Sequence, residues 1–200
     1  EVKAFLSTQI WDASHQFEVF RKRALSNGGG LGVQSPGLFA RSIVNARDWT
    51  EVTVFLHLLR DSFLQTLFAW GERFAHNPAE KAIFAYSLQD VTRHITYGVD
   101  HIRFFLHKRP ERHREIINYV TLGETAAAAE WEKDVPQNEA LAIILGGGKD
   151  NIGEGFRLLK QLRRDQIENY MRHARAARIG DRRDSLAKGL AAYFTEAVTA

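Results

Sequence analysis

Apolar positions recur along this chain at the three- and four-residue spacing of helices, and almost nowhere with the alternation of a strand. The periodicity predicts long helices at Val2–Leu25, Thr50–Ala75, Ala79–His107 and Glu111–Glu132, and a short one at Leu38–Ala46. A later pair is expected at Ile152–Arg178 and Arg182–Val198. Pro36, Pro78, Pro110 and Pro136 fall between these stretches, where a residue without an N–H is tolerated. Long helices joined by short polar turns favour an up-and-down bundle, so the expected fold class is all-α.

Two glycine-rich segments break the pattern, Asn27-Gly28-Gly29-Gly30-Leu31-Gly32 and Gly146-Gly147-Gly148-Lys149-Asp150-Asn151-Ile152-Gly153. Glycine loops ahead of helices can present N–H groups to anions. Neither segment follows a strand or fits a Walker loop or a dinucleotide fingerprint, so both read as connectors.

Composition narrows the picture. With 200 residues, 44% apolar and 26% charged, the chain supports one core, read as a single domain over residues 1–200 with a C-terminal helical extension at 137–200. No apolar run is long enough to span a membrane, and Glu1 to Ser7 lack the basic start of a signal peptide. The expectation is a cytoplasmic protein with no membrane partner. The absence of cysteine excludes disulfides and thiolate ligands, so any metal must be held by carboxylate and imidazole. The net charge of +3 reflects an Arg-rich stretch from Arg157 to Arg183. Interleaved Asp165, Glu168, Asp181 and Asp184 make that stretch an ion-paired, solvated face, and no nucleic-acid partner is expected.

Three places carry candidate chemistry. Asp12 and His15 stand at i and i+3, on one helix face with Phe5, Thr8 and Val19. Such a pair reads either as a local hydrogen bond or as half of a metal site. Asp61 lies in an apolar stripe with Val54, Leu58, Leu64 and Phe68, where an unpaired carboxylate is costly. Its partner is His57 one turn earlier, an arginine from another helix, or a metal ion. His94 stands at the edge of the apolar face of its helix, with Asp90 as its i−4 neighbour and Tyr97 and His101 continuing its line. A half-buried histidine satisfied by Asp90 and a metal ligand oriented by it are both open readings.

The strings Gln9-Ile10-Trp11-Asp12-Ala13-Ser14-His15-Gln16-Phe17-Glu18-Val19-Phe20 and Asp90-Val91-Thr92-Arg93-His94-Ile95-Thr96-Tyr97-Gly98, with Asp61 between them, resemble the ferritin-like di-iron carboxylate superfamily. Within it, the resemblance is to oxidases and oxygenases related to the ribonucleotide reductase small subunit and to amine N-oxygenases. It covers about residues 1 to 107. It implies a ferritin-like helical bundle with additional C-terminal helices, and it makes Asp12, His15, Asp61 and His94 metal ligands with Asp90 and Arg93 in support around them. Val91 stands where that family carries a bridging glutamate, and Trp11 where it carries an outer aspartate. The helix bearing the first carboxylate is expected upstream of Glu1.

The implied function is an oxygen-activating non-haem iron or iron/manganese oxidoreductase with an incomplete metal site, acting on a small organic substrate in the apolar bundle interior. The alternative is a metal-free, non-catalytic bundle of the same fold that binds an apolar ligand or a protein partner. Either form is expected to be a homodimer through its long helices. Iron storage is disfavoured, because no acid-rich nucleation surface is present.

Overall fold

In the computed structural model, which describes residues 2–26, 28–32 and 37–195, the apolar stripes lie on helices, and all but that of the first helix form inner faces. Helix α1 (Val2–Ser26) is followed by the short α2 (Leu38–Val44). Helix α3 (Trp49–Thr53) runs through a π-helical segment (Val54–Arg60) directly into α4 (Asp61–Phe74). Then come α5 (Pro78–Lys108), α6 (His113–Lys133), α7 (Val135–Leu145), α8 (Ile152–Ala176) and α9 (Lys188–Thr195). Every regular element among the described residues is helical, as the periodicity predicts. None of these helices is long and apolar enough to cross a membrane.

The prolines and caps do what their chemistry allows. Pro78 opens α5, where the Asn77 side chain accepts from Glu80 N at 2.9 Å. Pro136 is the second residue of α7, capped by Asp134 accepting from Gln137 N at 3.2 Å. Asp48 caps α3 in the same way, accepting from Glu51 N at 2.9 Å. Pro36 lies outside the described residues.

Three differences from the sequence reading have physical causes. Helix α7 is an addition, since residues 140–145 are a contiguous apolar run without a helical phase, and Pro136 reads as a break when it is in fact a start. The single helix expected over Thr50–Ala75 contains the π-helical segment, because Val52 to Leu59 is apolar on nearly every side and gives no register. The helix expected over Arg182–Val198 is a 3-10 turn at Arg183–Ser185 followed by α9; the last residues of that expectation, 196–198, lie outside the described ones.

The main core gathers Val54, Phe55, Leu58 and Leu59 of the π-helical segment against Ile102, Ile116, Val120, Ile167, Tyr170 and Met171. A smaller cluster of Leu145, Leu159 and Leu162 seats α7 and α8 on Leu67, Trp70 and Phe74 of α4. Helices α7 and α8 touch closely because Gly155 has no Cβ; one there would collide with the Ala142 carbonyl. Polar side chains of α8 tie it to α4, with Gln166 Nε2 donating to Phe63 O at 2.9 Å and Asn169 Nδ2 donating to Ser62 O at 3.0 Å.

Behind α6 sits a closed charge cluster. Arg182 donates to both oxygens of the fully buried Glu124, at 3.0 and 2.9 Å. Tyr170 OH donates to Glu124 Oε1 at 2.7 Å, and Ala187 N to Oε2 at 3.0 Å. Helix α1 differs from the rest. It packs chiefly on α5, buries only Gln9, and leaves Ile10, Trp11 and Phe17 mostly exposed.

Candidate functional site

Between α1, the π-helical segment, α4, α5 and α7 lies a cleft of about 1170 Å³. Ligand sites of small molecules occupy roughly 300–1,000 Å³, so the volume suffices for a sizeable one. The walls are largely apolar, with Leu64, Leu67 and Phe68 from α4, Phe84 and Val91 from α5, Phe20 from α1, and Leu141 and Ile144 from α7. Ile10 and Phe17 line it as well, which explains part of their poor burial. The polar lining includes Gln9, His57, Asp61 and His94, with Gln16, Arg23, Arg60, His76 and Glu80 as further polar residues of the wall.

The helices bring these groups together as a chain. The Asp61 carboxylate, 2% exposed, lies 3.0 Å through Oδ2 from His57 Nδ1, and Arg60 Nη1 donates to its Oδ1 at 3.3 Å. An ionised carboxylate only accepts, so Nδ1 of His57 carries the proton. His94 Nε2 donates in the same sense to Asp12 Oδ2 at 3.0 Å, while its Nδ1 lies 4.0 Å from Asp61 Oδ2. Arg93 Nη2 donates to Asp12 Oδ2 at 3.2 Å and to Asp90 Oδ1 at 2.5 Å, and Gln16 Nε2 to Asp90 Oδ2 at 3.1 Å. Burial disfavours the Arg93 guanidinium, but its hydrogen bonds to Asp90 and Asp12 outweigh that and raise its pKa above the ordinary value.

Of the residues that the resemblance implies as ligands, Asp12, Asp61 and His94 therefore share one network, with Asp90 and Arg93 at its solvent edge. His15 stands apart, exposed and away from the cleft walls. Val91 is buried in the cleft wall and presents a hydrocarbon surface where a carboxylate would otherwise stand.

His57 is the residue whose part sequence reasoning undervalued, since it entered only as a partner for Asp61. It is 1% exposed, and its ring meets those of Tyr97 and His94 edge-on, with centroids 5.7 and 6.2 Å away. Its place depends on Gly98, where any Cβ would collide with that of His57. The sequence carries only part of the signal, an i, i+4 His–Asp pair in a largely apolar segment; the glycine that faces it belongs to another helix. Tyr97 OH accepts from Trp49 Nε1 at 3.1 Å, and His101 Nε2 lies 3.3 Å from Thr50 Oγ1. Burial and the neighbouring His57 push the His101 pKa below the ordinary imidazole value.

A metal ion requires lone pairs converging on one point at about 2.0–2.2 Å. The donor types here suit iron or manganese, but their geometry does not. His94 Nε2 is committed to Asp12 and His57 Nδ1 to Asp61, and no group of three or more His, Cys, Asp or Glu side chains among the described residues is gathered closely enough to hold a metal ion.

The Arg-rich stretch is ion-paired in the places where its partners are defined. Arg157 meets Glu154 at 2.6 Å, Arg175 meets Asp181 at 3.3 Å, and Arg183 meets Glu168 at 3.0 Å.

Neither known protein families, nor curated proteins, nor solved structures give a match to this chain.

Proposed function

We propose that this protein is a ferritin-like helical bundle that takes a small, largely apolar organic molecule into the cleft beside α1. The supporting observation is the cleft itself, a largely apolar cavity of about 1170 Å³ with a minority of polar side chains in its wall. Such a site buries most of a ligand's surface, and the few polar groups fix its orientation. Helix α1 is the movable wall, because it is held chiefly by α5 and buries only one side chain of its own. Trp49 and Trp70 line the cleft and report on its occupancy through their fluorescence. Titration with an eight- to ten-carbon n-alkyl compound should give a saturable, one-to-one change, which Leu64→Trp weakens by filling part of the cavity. Unsaturable partitioning, or equal binding by the filled variant, rejects the reading.

A second reading, a non-haem iron or manganese oxidoreductase acting on that molecule, is favoured by one observation: two carboxylates and two imidazoles, Asp12, His94, Asp61 and His57, form one continuous chain. It requires the histidines to exchange their carboxylate partners for a common metal. Elemental analysis after expression in iron- and manganese-supplemented medium separates the readings. Stoichiometric metal that is lost in His94→Ala favours the oxidoreductase, and less than about a tenth of an equivalent rejects it. Val91→Glu, which adds a carboxylate to the wall, should raise metal uptake if the site is merely incomplete.

The same reading includes a homodimer. Ile10 and Trp11, 70% and 73% exposed on α1, form the apolar surface it would use. Sedimentation of the native chain against Trp11→Lys tests it.

A further inference from the structure

Buried polar groups nearly always find hydrogen-bond partners, so an exception calls for a physical account. Among the described residues, four buried side-chain atoms have none: Gln9 Nε2, His57 Nε2, Asp134 Oδ2 and Arg163 Nε. Asp134 and Arg163 attract each other electrostatically on the far side of α4. Gln9 and His57 instead line the cleft, 8% and 1% exposed, on two different elements. Leaving such a group unpaired costs about 1–3 kcal/mol, so two beside one cavity indicate what the cavity is shaped to receive.

The chemistry of the two atoms defines the missing partner. With Nδ1–H donating to Asp61 Oδ2, Nε2 is the one ring nitrogen of His57 left without a partner, and in the uncharged tautomer it is a spare acceptor. The Gln9 amide supplies a spare donor. A hydroxyl is the smallest head group that donates and accepts at once. A carboxylate head placed between Gln9 and His57 would face the Asp61 carboxylate and would bring no proton for Nε2. An ammonium head donates only, so it would leave Gln9 Nε2 unpaired, and both oxygens of the neighbouring Asp61 are already engaged, by His57 and Arg60.

We infer that the ligand of the cleft is an elongated apolar molecule ending in a hydroxyl, an alcohol or a phenol, whose O–H is received by His57 Nε2 while Gln9 donates to its oxygen. This rests on the cleft being a ligand site. Most of the remaining wall is hydrocarbon, and the polar atoms it leaves unpaired are those of His57 and Gln9, so the head group is read there. Asp61 does not touch the ligand; it positions His57 by holding the tautomer that leaves Nε2 free.

The test compares 1-octanol with 1-methoxyoctane and octanoate by calorimetry at pH 8, above the ordinary imidazole range. The ether has more hydrocarbon than the alcohol but no O–H, so partitioning alone would favour it. The intact chain should bind octanol about tenfold more tightly than either competitor. His57→Phe should erase the preference over the ether while still binding both chains, and Gln9→Leu should weaken it with the fold undisturbed. Equal or tighter binding of the ether or of octanoate, or an alcohol preference that survives both substitutions, overturns the inference while leaving the cleft a ligand site. If no eight-carbon chain binds at all, the ligand site and this inference fall together.

Discussion

Buried charge occurs in two regions of this molecule, behind α6 and beside α1. Behind α6, Glu124 is fully enclosed and both its oxygens are taken, by Arg182, Tyr170 and the Ala187 backbone, so the cluster is closed. Beside α1, Asp61 and His57 are equally buried, yet the ring nitrogen of His57 that faces away from Asp61 has no partner. Burial alone therefore does not separate a closed cluster from an open one. What separates them is whether the hydrogen-bonding capacity is used up, and whether the leftover atoms border a space. The closed cluster pins a C-terminal segment that has little regular structure of its own, and the open one sits under the most weakly packed helix.

The largest effect is expected where the closed cluster is broken. Glu124→Ala leaves the Arg182 guanidinium and the Tyr170 hydroxyl buried without their acceptor. Removing one member of a buried pair costs about 3–5 kcal/mol, and urea denaturation should show it. Octanol affinity should stay unchanged, since Glu124 is not part of the cleft wall. A loss of stability below about 1 kcal/mol would mean that the cluster is held by packing rather than by its charges.

The seam between the two regions responds to pH. His173 of α8 reaches Ser62 of α4 through Nδ1 at 2.8 Å, and Ser62 Oγ lies 2.5 Å from the Leu58 carbonyl of the π-helical segment. Burial lowers the His173 pKa to about 4, with the positive charge of Arg172 adding to the effect. The unfolded chain thus takes up a proton near pH 6.5 that the folded chain refuses until about pH 4. The full contribution is present above pH 6.5 and is lost progressively as pH falls toward 4, amounting to about 2–3 kcal/mol. Denaturation midpoints measured across that window for the native chain and for His173→Gln should converge as pH falls. Parallel curves would remove His173 as the cause.

A smaller effect is expected at Gly98. A Cβ there collides with that of His57, and since both positions lie in packed helices, relief requires a backbone shift. Gly98→Ala should cost about 1–3 kcal/mol, the usual penalty of overpacking. It should also displace the His57 ring from Asp61 and so reduce the preference for octanol over its ether. Destabilisation with the preference intact would show that the head group is read elsewhere.

How much of this was legible in the sequence differs between the two regions for the same reason that their chemistry differs. Helix periodicity exposed α5, α6 and α8, where one face is apolar and the other charged. It failed at α7 and at the π-helical segment, where apolar residues occupy every side and no phase can be read. Asp61 was conspicuous as an acid inside a stripe, and Asp12 and His94 as parts of recognisable strings. The importance of His57 was not, because its meaning lies in an atom left over after Asp61 is satisfied and in a glycine on another helix. The Glu124–Arg182 pair joins residues 58 positions apart, so no local pattern carries it.

The smallest expected effect decides most between the two readings of the cleft. Asp12 and His15 look equivalent in sequence, one turn apart on one helix, and the resemblance treats them as a unit. In the fold they part, with Asp12 turned to His94 and His15 exposed. If the cleft receives a hydroxylated chain through His57, His15→Ala should change stability by less than about 0.5 kcal/mol, as an exposed substitution does, and leave octanol affinity unaltered. His94→Ala, which strips Asp12 of a buried partner, should cost several times more. Were iron instead held with His15 as a ligand, as the resemblance implies, His15 would have to turn inward. His15→Ala would then lower metal content as strongly as His94→Ala does, so the ratio of metal retained by the two variants tells whether His15 is a ligand.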